Sequence, residues 1–129
     1  MTPLMETLQF LRTDPRLTEW SKFRNERAIE FSSHTKGTVT VDAMVITWSK
    51  VRKVHFYSRW LARPLEERVC CLIHELHHIW QHETIGTASN EVAAYQAERE
   101  VAVVLECSAE YLGEIDERIC YHSEREETT

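Results

Sequence analysis

The residues of this chain best suited to chemistry are two histidines and a glutamate between Cys70 and His82. His74, Glu75 and His78 have the spacing H-E-x-x-H. Residues four positions apart lie on the same face of an α-helix, so the imidazoles of His74 and His78 can bind one ion. Zinc accepts nitrogen ligands of this kind in a tetrahedral site that keeps one position for water. Glu75 lies about 100° further round the helix, where its carboxylate can act as general base toward that water.

The segment around this motif predicts a helix over residues 63–82. Pro64 lies near the first helical position, and Glu66 and Glu67 place acidic groups in the first turn. No glycine or proline interrupts residues 65–85. The predicted apolar face, which leaves the two histidines to one side, consists of Leu65, Val69, Leu72, Leu76 and Ile79.

A second predicted helix, over residues 90–121 with Asn90 as its N-cap, offers candidates for the third protein ligand that a catalytic zinc site needs. A carboxylate on a core-facing seam is costly unless it is paired or bound to a metal. Glu91 would lie nearly level with His78 and Glu98 nearer the level of His74, so both remain candidates. The seam consists of Glu91, Ala94, Glu98, Val101, Leu105, Ser108, Leu112, Ile115 and Ile119.

The remaining segments complete a single predicted domain over residues 1–129. Residues 1–27 predict a helical segment, and residues 122–129 form a polar tail. Residues 28–57 are rich in β-branched side chains, including Thr38 to Val41, and Lys36-Gly37 is a turn signal. The predicted fold class is therefore α+β, with a small antiparallel sheet packed on the zinc helix and the long C-terminal helix. An edge of that sheet could bind an extended peptide by strand addition.

The composition excludes several classes of function. The net charge is −6, which argues against nucleic acid or an anionic membrane as a partner. Apolar residues make up 43% of the chain and charged residues 28%, as in a globular protein. No apolar run approaches the length of a membrane span, and the first 30 residues lack the apolar centre of a signal peptide. We therefore expect a cytoplasmic protein, with signal-free export also compatible.

The four cysteines predict thiols rather than a zinc–thiolate site. No C-x-x-C spacing occurs among Cys70, Cys71, Cys107 and Cys120, and the neighbours Cys70 and Cys71 diverge on a helix. Because no secretory signal is present, we expect these thiols to be buried or partly buried and reduced.

The H-E-x-x-H motif followed by a helical glutamate resembles the gluzincin class of zinc metallopeptidases. Asn90-Glu91 is similar to the start of the glutamate helix in thermolysin-like enzymes, and the segment from Glu91 to Tyr95 resembles the E-x-x-A-[YN] pattern of compact members. Those members include minigluzincins, ImmA/IrrE-type proteases and the core-domain metallopeptidases linked to contractile injection systems. The stretches from Leu72 to Leu76 and from Ile79 to Gln81 are similar to the last of these in particular.

This resemblance covers residues 72–98 and implies a zincin-like fold that binds Zn²⁺ and hydrolyses peptide bonds. It implies His74, His78 and Glu91 as metal ligands, Glu75 as the general base, and a protein or peptide as substrate. A neutral donor should then stabilise the developing oxyanion. The available donors are His55, Tyr57, Tyr95, His77, His82, Tyr111, Tyr121 and His122.

Two other functions are compatible with the same residues. A protein of this fold could keep its zinc and lose turnover, serving as a regulatory or scaffold protein, although a purely structural site has no need of Glu75. A metal-free protein could instead dimerise through the seam between Glu91 and Ile119, although the two carboxylates of that seam oppose this. Zinc content separates the second alternative from the others, and peptide cleavage separates the first from the enzyme.

Overall fold

A computed structural model describes residues 1–21, 29–33, 43–48, 51–80 and 88–126. The predicted strand at residues 38–41, the turn at Lys36-Gly37, the candidate donor His82 and the last three residues of the polar tail lie outside these ranges. The described part of the chain is mostly helical with a small sheet, so the coarse α+β prediction is confirmed.

Helix α1 spans Pro3–Thr13 and begins where Thr2 accepts a hydrogen bond from the backbone N–H of Met5 at 3.1 Å. A 3₁₀ turn, Pro15–Leu17, and the short helix α2, Thr18–Ser21, follow. The Asp14 side chain accepts from the Arg16 N–H and so starts the 3₁₀ turn ahead of Pro15, whose fixed φ suits a first helical position. The described part of the predicted N-terminal segment is therefore helical.

The sheet of the described residues contains β1 (Ile29–Ser33), β2 (Ala43–Trp48) and β3 (Val51–Phe56) in the order β1-β3-β2. Strand β2 pairs antiparallel with β3, but β1 pairs parallel with β3, so the prediction of a wholly antiparallel sheet is wrong. Only two residues separate β2 from β3, and a link that short forces antiparallel pairing. The longer segment between β1 and β3 allows the crossover that a parallel pair needs.

Helix α4, Leu65–Trp80, carries the H-E-x-x-H motif and forms the centre of the core. The short helix α3, Ser58–Leu61, precedes it and buries Trp60, whose indole N–H donates to the Arg68 carbonyl at 3.0 Å. Side chains that are completely buried include Leu11, Leu17, Val54, Phe56, Trp60, Val69, Leu72, Ile73 and Val101. The core thus joins α1, β3, α3, α4 and the helix over residues 88–104 that contains Val101.

Arg68 fastens the N-terminal helix to α4. Its guanidinium is buried and donates to the Pro3 carbonyl at 2.8 Å, to the Thr7 hydroxyl at 3.2 Å and to the Glu6 carboxylate at 2.6 Å. A buried guanidinium needs this set of acceptors, since leaving it unpaired would cost several kcal/mol, on the order of 3–5. The sequence pattern gave no indication of this contact.

The C-terminal region forms two helices, α5 (Ala88–Val104) and α6 (Ala109–Glu126), so the prediction of one helix over residues 90–121 is wrong. The chain turns at Glu106, whose φ is 56°. The N–H of Cys107 donates to the Ala102 carbonyl at 2.9 Å and that of Glu106 to Val103 at 3.1 Å, the bonds of a Schellman motif.

Ser108 starts the next helix by accepting from the Tyr111 N–H at 3.2 Å. This serine, followed by Ala109 and Glu110, is the N-cap signal that could have revealed the break in the seam. Helix α5 also begins at Ala88, so the predicted N-cap Asn90 lies inside it. Helix α5 packs against both α4 and α6, and none of the described helices is long and apolar enough to cross a bilayer.

Candidate metal centre

Helices α4 and α5 bring together the three residues expected to bind a metal. His74 and His78 lie one turn apart on the same face of α4, with ring centroids 5.0 Å apart, and both are buried. Glu91, in the first turn of α5, faces them and is 17% exposed. One ligand atom from each of the three residues lies within 4.8 Å of the others. Among the described residues, these three form a group of side chains that could hold a metal ion.

The Glu91 carboxylate spans the two imidazoles. Its Oε1 lies 3.0 Å from His78 Nε2, and its Oε2 lies 3.4 Å from His74 Nε2. With metal–ligand bonds of about 2.05 Å, the edges of a tetrahedral zinc site measure about 3.3 Å. The two separations between carboxylate and imidazole are close to this edge, although each involves a different oxygen of Glu91. Because the limit on the whole set is 4.8 Å, the ligand atoms would have to approach one another by up to about 1.5 Å to hold one ion.

Glu98 occupies the other side of His74. Its Oε1 lies 3.0 Å from His74 Nδ1, and its Oε2 accepts a hydrogen bond from the Tyr111 hydroxyl at 2.5 Å. Glu98 is only 5% exposed and lies about two helical turns beyond Glu91 on α5. The two carboxylates that the sequence left as alternatives thus face different nitrogens of the His74 imidazole. Glu91 faces Nε2 of His74 and Nε2 of His78, whereas Glu98 faces Nδ1 of His74.

Charge complementarity sets the protonation of these groups. Burial lowers the pKa of His74, but contacts with Glu91 and Glu98 outweigh it and raise the pKa to about 10. The pKa of His78 is also raised, because the contact with Glu91 outweighs burial and the repulsion from His74. Burial raises the pKa of Glu91, yet the two histidines lower it further, so the net shift is downward. Without a metal, His74 is an imidazolium held between two carboxylates.

Glu75 and His77 lie on α4 beside these ligands, and both are half-buried. Burial raises the pKa of Glu75 above that of an ordinary glutamate, although the charges of His74 and His78 oppose the shift. A carboxylate with a raised pKa is a better proton acceptor near neutral pH. Burial, followed by repulsion from His78 and His74, lowers the pKa of His77 to about 4, so this imidazole is neutral.

An aromatic row extends from the ligands toward α6. The Tyr95 ring contacts His74 edge-on at 4.3 Å, and His122 stacks on Tyr95 at 5.7 Å. Of these two predicted donors, Tyr95 therefore contacts the ligand His74 directly, and His122 contacts Tyr95. Tyr95 is on α5, so its position follows from the same helix that carries Glu91.

Other predicted donors have different surroundings. His55 Nδ1 lies 2.8 Å from the Ser32 hydroxyl on the neighbouring strand, and Tyr121 is half exposed beneath the Arg125 guanidinium. Tyr111, one of the available donors, donates its hydroxyl proton to Glu98. Sequence spacing could not show this role, because it depends on the turn between α5 and α6.

Comparisons of the chain with protein-family models, with curated proteins and with solved structures found no match.

Proposed function

We propose that this chain is a zinc-dependent metallopeptidase of the compact gluzincin type, with a zincin-like arrangement of sheet, H-E-x-x-H helix and glutamate helix. The observation that carries the proposal is the buried cluster of His74, His78 and Glu91, whose ligand atoms lie within 4.8 Å of one another. The adjacent Glu75 supplies the base that such an enzyme requires.

The donor set favours zinc over other common cations. Two imidazole nitrogens and one carboxylate oxygen are ligands typical of catalytic zinc sites, whereas calcium and magnesium prefer oxygen ligands alone. When bound at such a site, zinc activates water as a nucleophile and polarises the carbonyl group of the substrate. Glu91 is the preferred third ligand, because its carboxylate faces the Nε2 atoms of both histidines.

The surrounding residues have distinct tasks in this mechanism. Glu98 Oε1 lies 3.0 Å from His74 Nδ1, where it would accept the Nδ1 proton and so favour the tautomer that leaves Nε2 free to act as a ligand. Tyr111 holds Glu98 from the opposite side. Glu75 takes a proton from the attacking water and returns it to the amine that leaves when the peptide bond breaks.

Strand β2 supports a peptide as substrate. It lies at one edge of the described sheet and packs against α4. An edge strand can pair its free backbone groups with an extended peptide, which would hold that peptide along the helix that carries Glu75. Binding through the peptide backbone requires no deep pocket for side chains.

The experiment combines metal analysis with a cleavage screen. The chain is purified without an affinity metal, zinc is measured by elemental analysis, and a mixture of peptides is screened for cleavage by mass spectrometry. We expect about one zinc per chain, lost in His74→Ala. Glu75→Gln should retain zinc and lose hydrolysis by about 10²- to 10⁴-fold.

Each alternative result has a definite meaning. Zinc binding without cleavage of any peptide would support the catalytically silent regulatory or scaffold protein. The absence of zinc from a folded wild-type chain, even after zinc is added, would overturn the metal site and with it the peptidase. Cleavage that persists in Glu75→Gln would refute the role of Glu75 as the base.

A further inference from the structure

Two thiols from distant parts of the chain meet beside the core. The Sγ atoms of Cys70 and Cys107 lie 3.8 Å apart. Cys70 is completely buried on α4, whereas Cys107 is partly exposed in the turn between α5 and α6. The pair therefore joins a buried thiol to one that solvent can reach, and the two cysteines are 37 positions apart in the sequence.

We propose that Cys70 and Cys107 form a redox-active dithiol, which hydroperoxides oxidise to an intramolecular disulfide. A disulfide bond is about 2.05 Å long, so the two sulfurs must approach by about 1.8 Å. Because the backbone around Cys107 is held by the left-handed turn at Glu106 and by the Ser108 cap, this approach requires a change in the Cys107 side chain rather than a shift of α5 or α6. Helix α4, at the centre of the core, supplies the fixed partner.

The other two thiols have different neighbours, so the pairing is specific. Cys71 is buried, and its Sγ lies 3.4 Å from the Tyr111 hydroxyl. Cys120 is exposed on α6, contrary to the expectation of burial, and its Sγ lies 3.8 Å from a Glu124 carboxylate oxygen. A thiol on the outer face of α6 packs against nothing in the core, whereas Cys107 lies at the end of α5 where it meets α4.

The chemistry balances in two steps. The Cys107 thiolate attacks one oxygen of the hydroperoxide, the O–O bond breaks, and the released hydroxide or alkoxide takes a proton to leave as water or alcohol. Cys107 is then a sulfenic acid. The Cys70 sulfur attacks the Cys107 sulfur, an S–S bond forms, and hydroxide leaves with the Cys70 proton as water. The dithiol loses two electrons and two protons, and the hydroperoxide accepts them.

The division of roles follows from exposure. Cys107 can meet a peroxide because it is partly exposed, and Cys70 can only resolve the sulfenic acid because it is buried. The contact with Cys70 lowers the pKa of Cys107, in agreement with Cys107 as the thiol that attacks the hydroperoxide. Neither step requires a bound metal, so this inference is independent of the proposed peptidase activity.

The test treats the reduced, full-length chain with hydrogen peroxide, then labels remaining thiols under denaturing conditions and measures the intact mass. We expect two labels where the reduced chain takes four, because the chain has four cysteines. A non-reducing digest should yield one cross-link, between the peptides of Cys70 and Cys107, and dithiothreitol should restore all labels. Cys71→Ser, which removes the neighbouring thiol from the same peptide, should keep the cross-link.

Matched variants and the wild-type digest keep the inference falsifiable. Cys70→Ser should leave Cys107 as sulfenic acid or in higher oxidation states, and Cys120→Ser should form the same cross-link as wild type. If Cys70→Ser fails to fold, the wild-type digest alone decides the question. Oxidation of Cys107 to sulfinic acid while Cys70 remains a free thiol, or a cross-link that joins two chains through Cys120, would overturn the proposal.

Discussion

Replacement of Glu98 by glutamine tests the support that we propose for the metal ligand His74. The Glu98 carboxylate accepts a hydrogen bond from the Tyr111 hydroxyl at 2.5 Å, and its other oxygen lies 3.0 Å from His74 Nδ1, within ion-pair distance. Glutamine has nearly the same shape but offers only one acceptor oxygen, so its NH₂ group must face one of these donors. Because Glu98 is 5% exposed, water cannot easily replace the lost acceptor.

The expected effect is a zinc affinity about 10- to 100-fold lower than that of the wild type, the usual consequence of removing a group that orients a ligand. This corresponds to about 1.4–2.7 kcal/mol. Tyr111→Phe removes the competing donor, so the Glu98→Gln/Tyr111→Phe double variant should recover part of the loss. A coupling of this kind distinguishes a local clash of donors from general damage to the fold.

Zinc affinity is measured by competition with a chromophoric chelator at pH 7.5, and folding is checked by thermal unfolding in EDTA. Glu91→Gln is the matched comparison, because it changes the carboxylate that faces both Nε2 atoms and should weaken binding more than Glu98→Gln does. Wild-type affinity in Glu98→Gln would refute the orienting role. Full loss in Glu98→Gln with little change in Glu91→Gln would exchange the assignments of the two carboxylates.

Three further predictions concern protons and the C-terminal helices. With the pKa of His74 raised to about 10 in the metal-free chain, zinc must displace its proton at neutral pH, so apparent zinc affinity should rise with pH by about tenfold per unit for each proton released. Titration calorimetry in two buffers of different ionisation enthalpy measures the released proton, and a binding heat that does not depend on the buffer would contradict the prediction. Gly113→Ala should stabilise the fold by about 1 kcal/mol in urea unfolding, because Gly113 is inside α6 and an added Cβ meets nothing within 4 Å; a loss of stability would mean that the helix bends there. Glu106→Gly should raise the free energy of unfolding by about 1 kcal/mol, since only glycine adopts a φ of 56° without steric cost. An unchanged urea midpoint would show that Glu106 is not strained.

The parts of the fold that depend on local signals were predictable from the sequence. The apolar periodicity and the Pro64 start define α4, which spans Leu65–Trp80 within the predicted 63–82. The β-branched content of residues 28–57 indicated strands, and β1, β2 and β3 all lie within that range. These signals involve residues only a few positions apart, so they can be recognised without knowledge of the packing.

The parts that depend on distant contacts were not predictable. The parallel pairing of β1 with β3 is a choice between strands separated in sequence, and alternation of side chains cannot select it. The seam continues in register through Leu105 and Ser108 although the helix does not, because both α5 and α6 bury apolar residues at the same spacing. Spacing alone likewise left both Glu91 and Glu98 possible, since only the packing of α5 on α4 places them at different nitrogens of His74.

The position of the candidate centre has a consequence for how the chain folds. His74, His78, Glu91 and Glu98 all come from two helices that follow one another in sequence, so their contacts have low contact order. The entropy lost on closing a loop grows with its length, and contacts this local form early. A helical hairpin of α4 and α5 can therefore collect a metal ion before β1 pairs with β3 and before Arg68 captures the N-terminal helix. Refolding in the presence of zinc should accelerate the folding step itself, rather than only slow the unfolding of the finished protein.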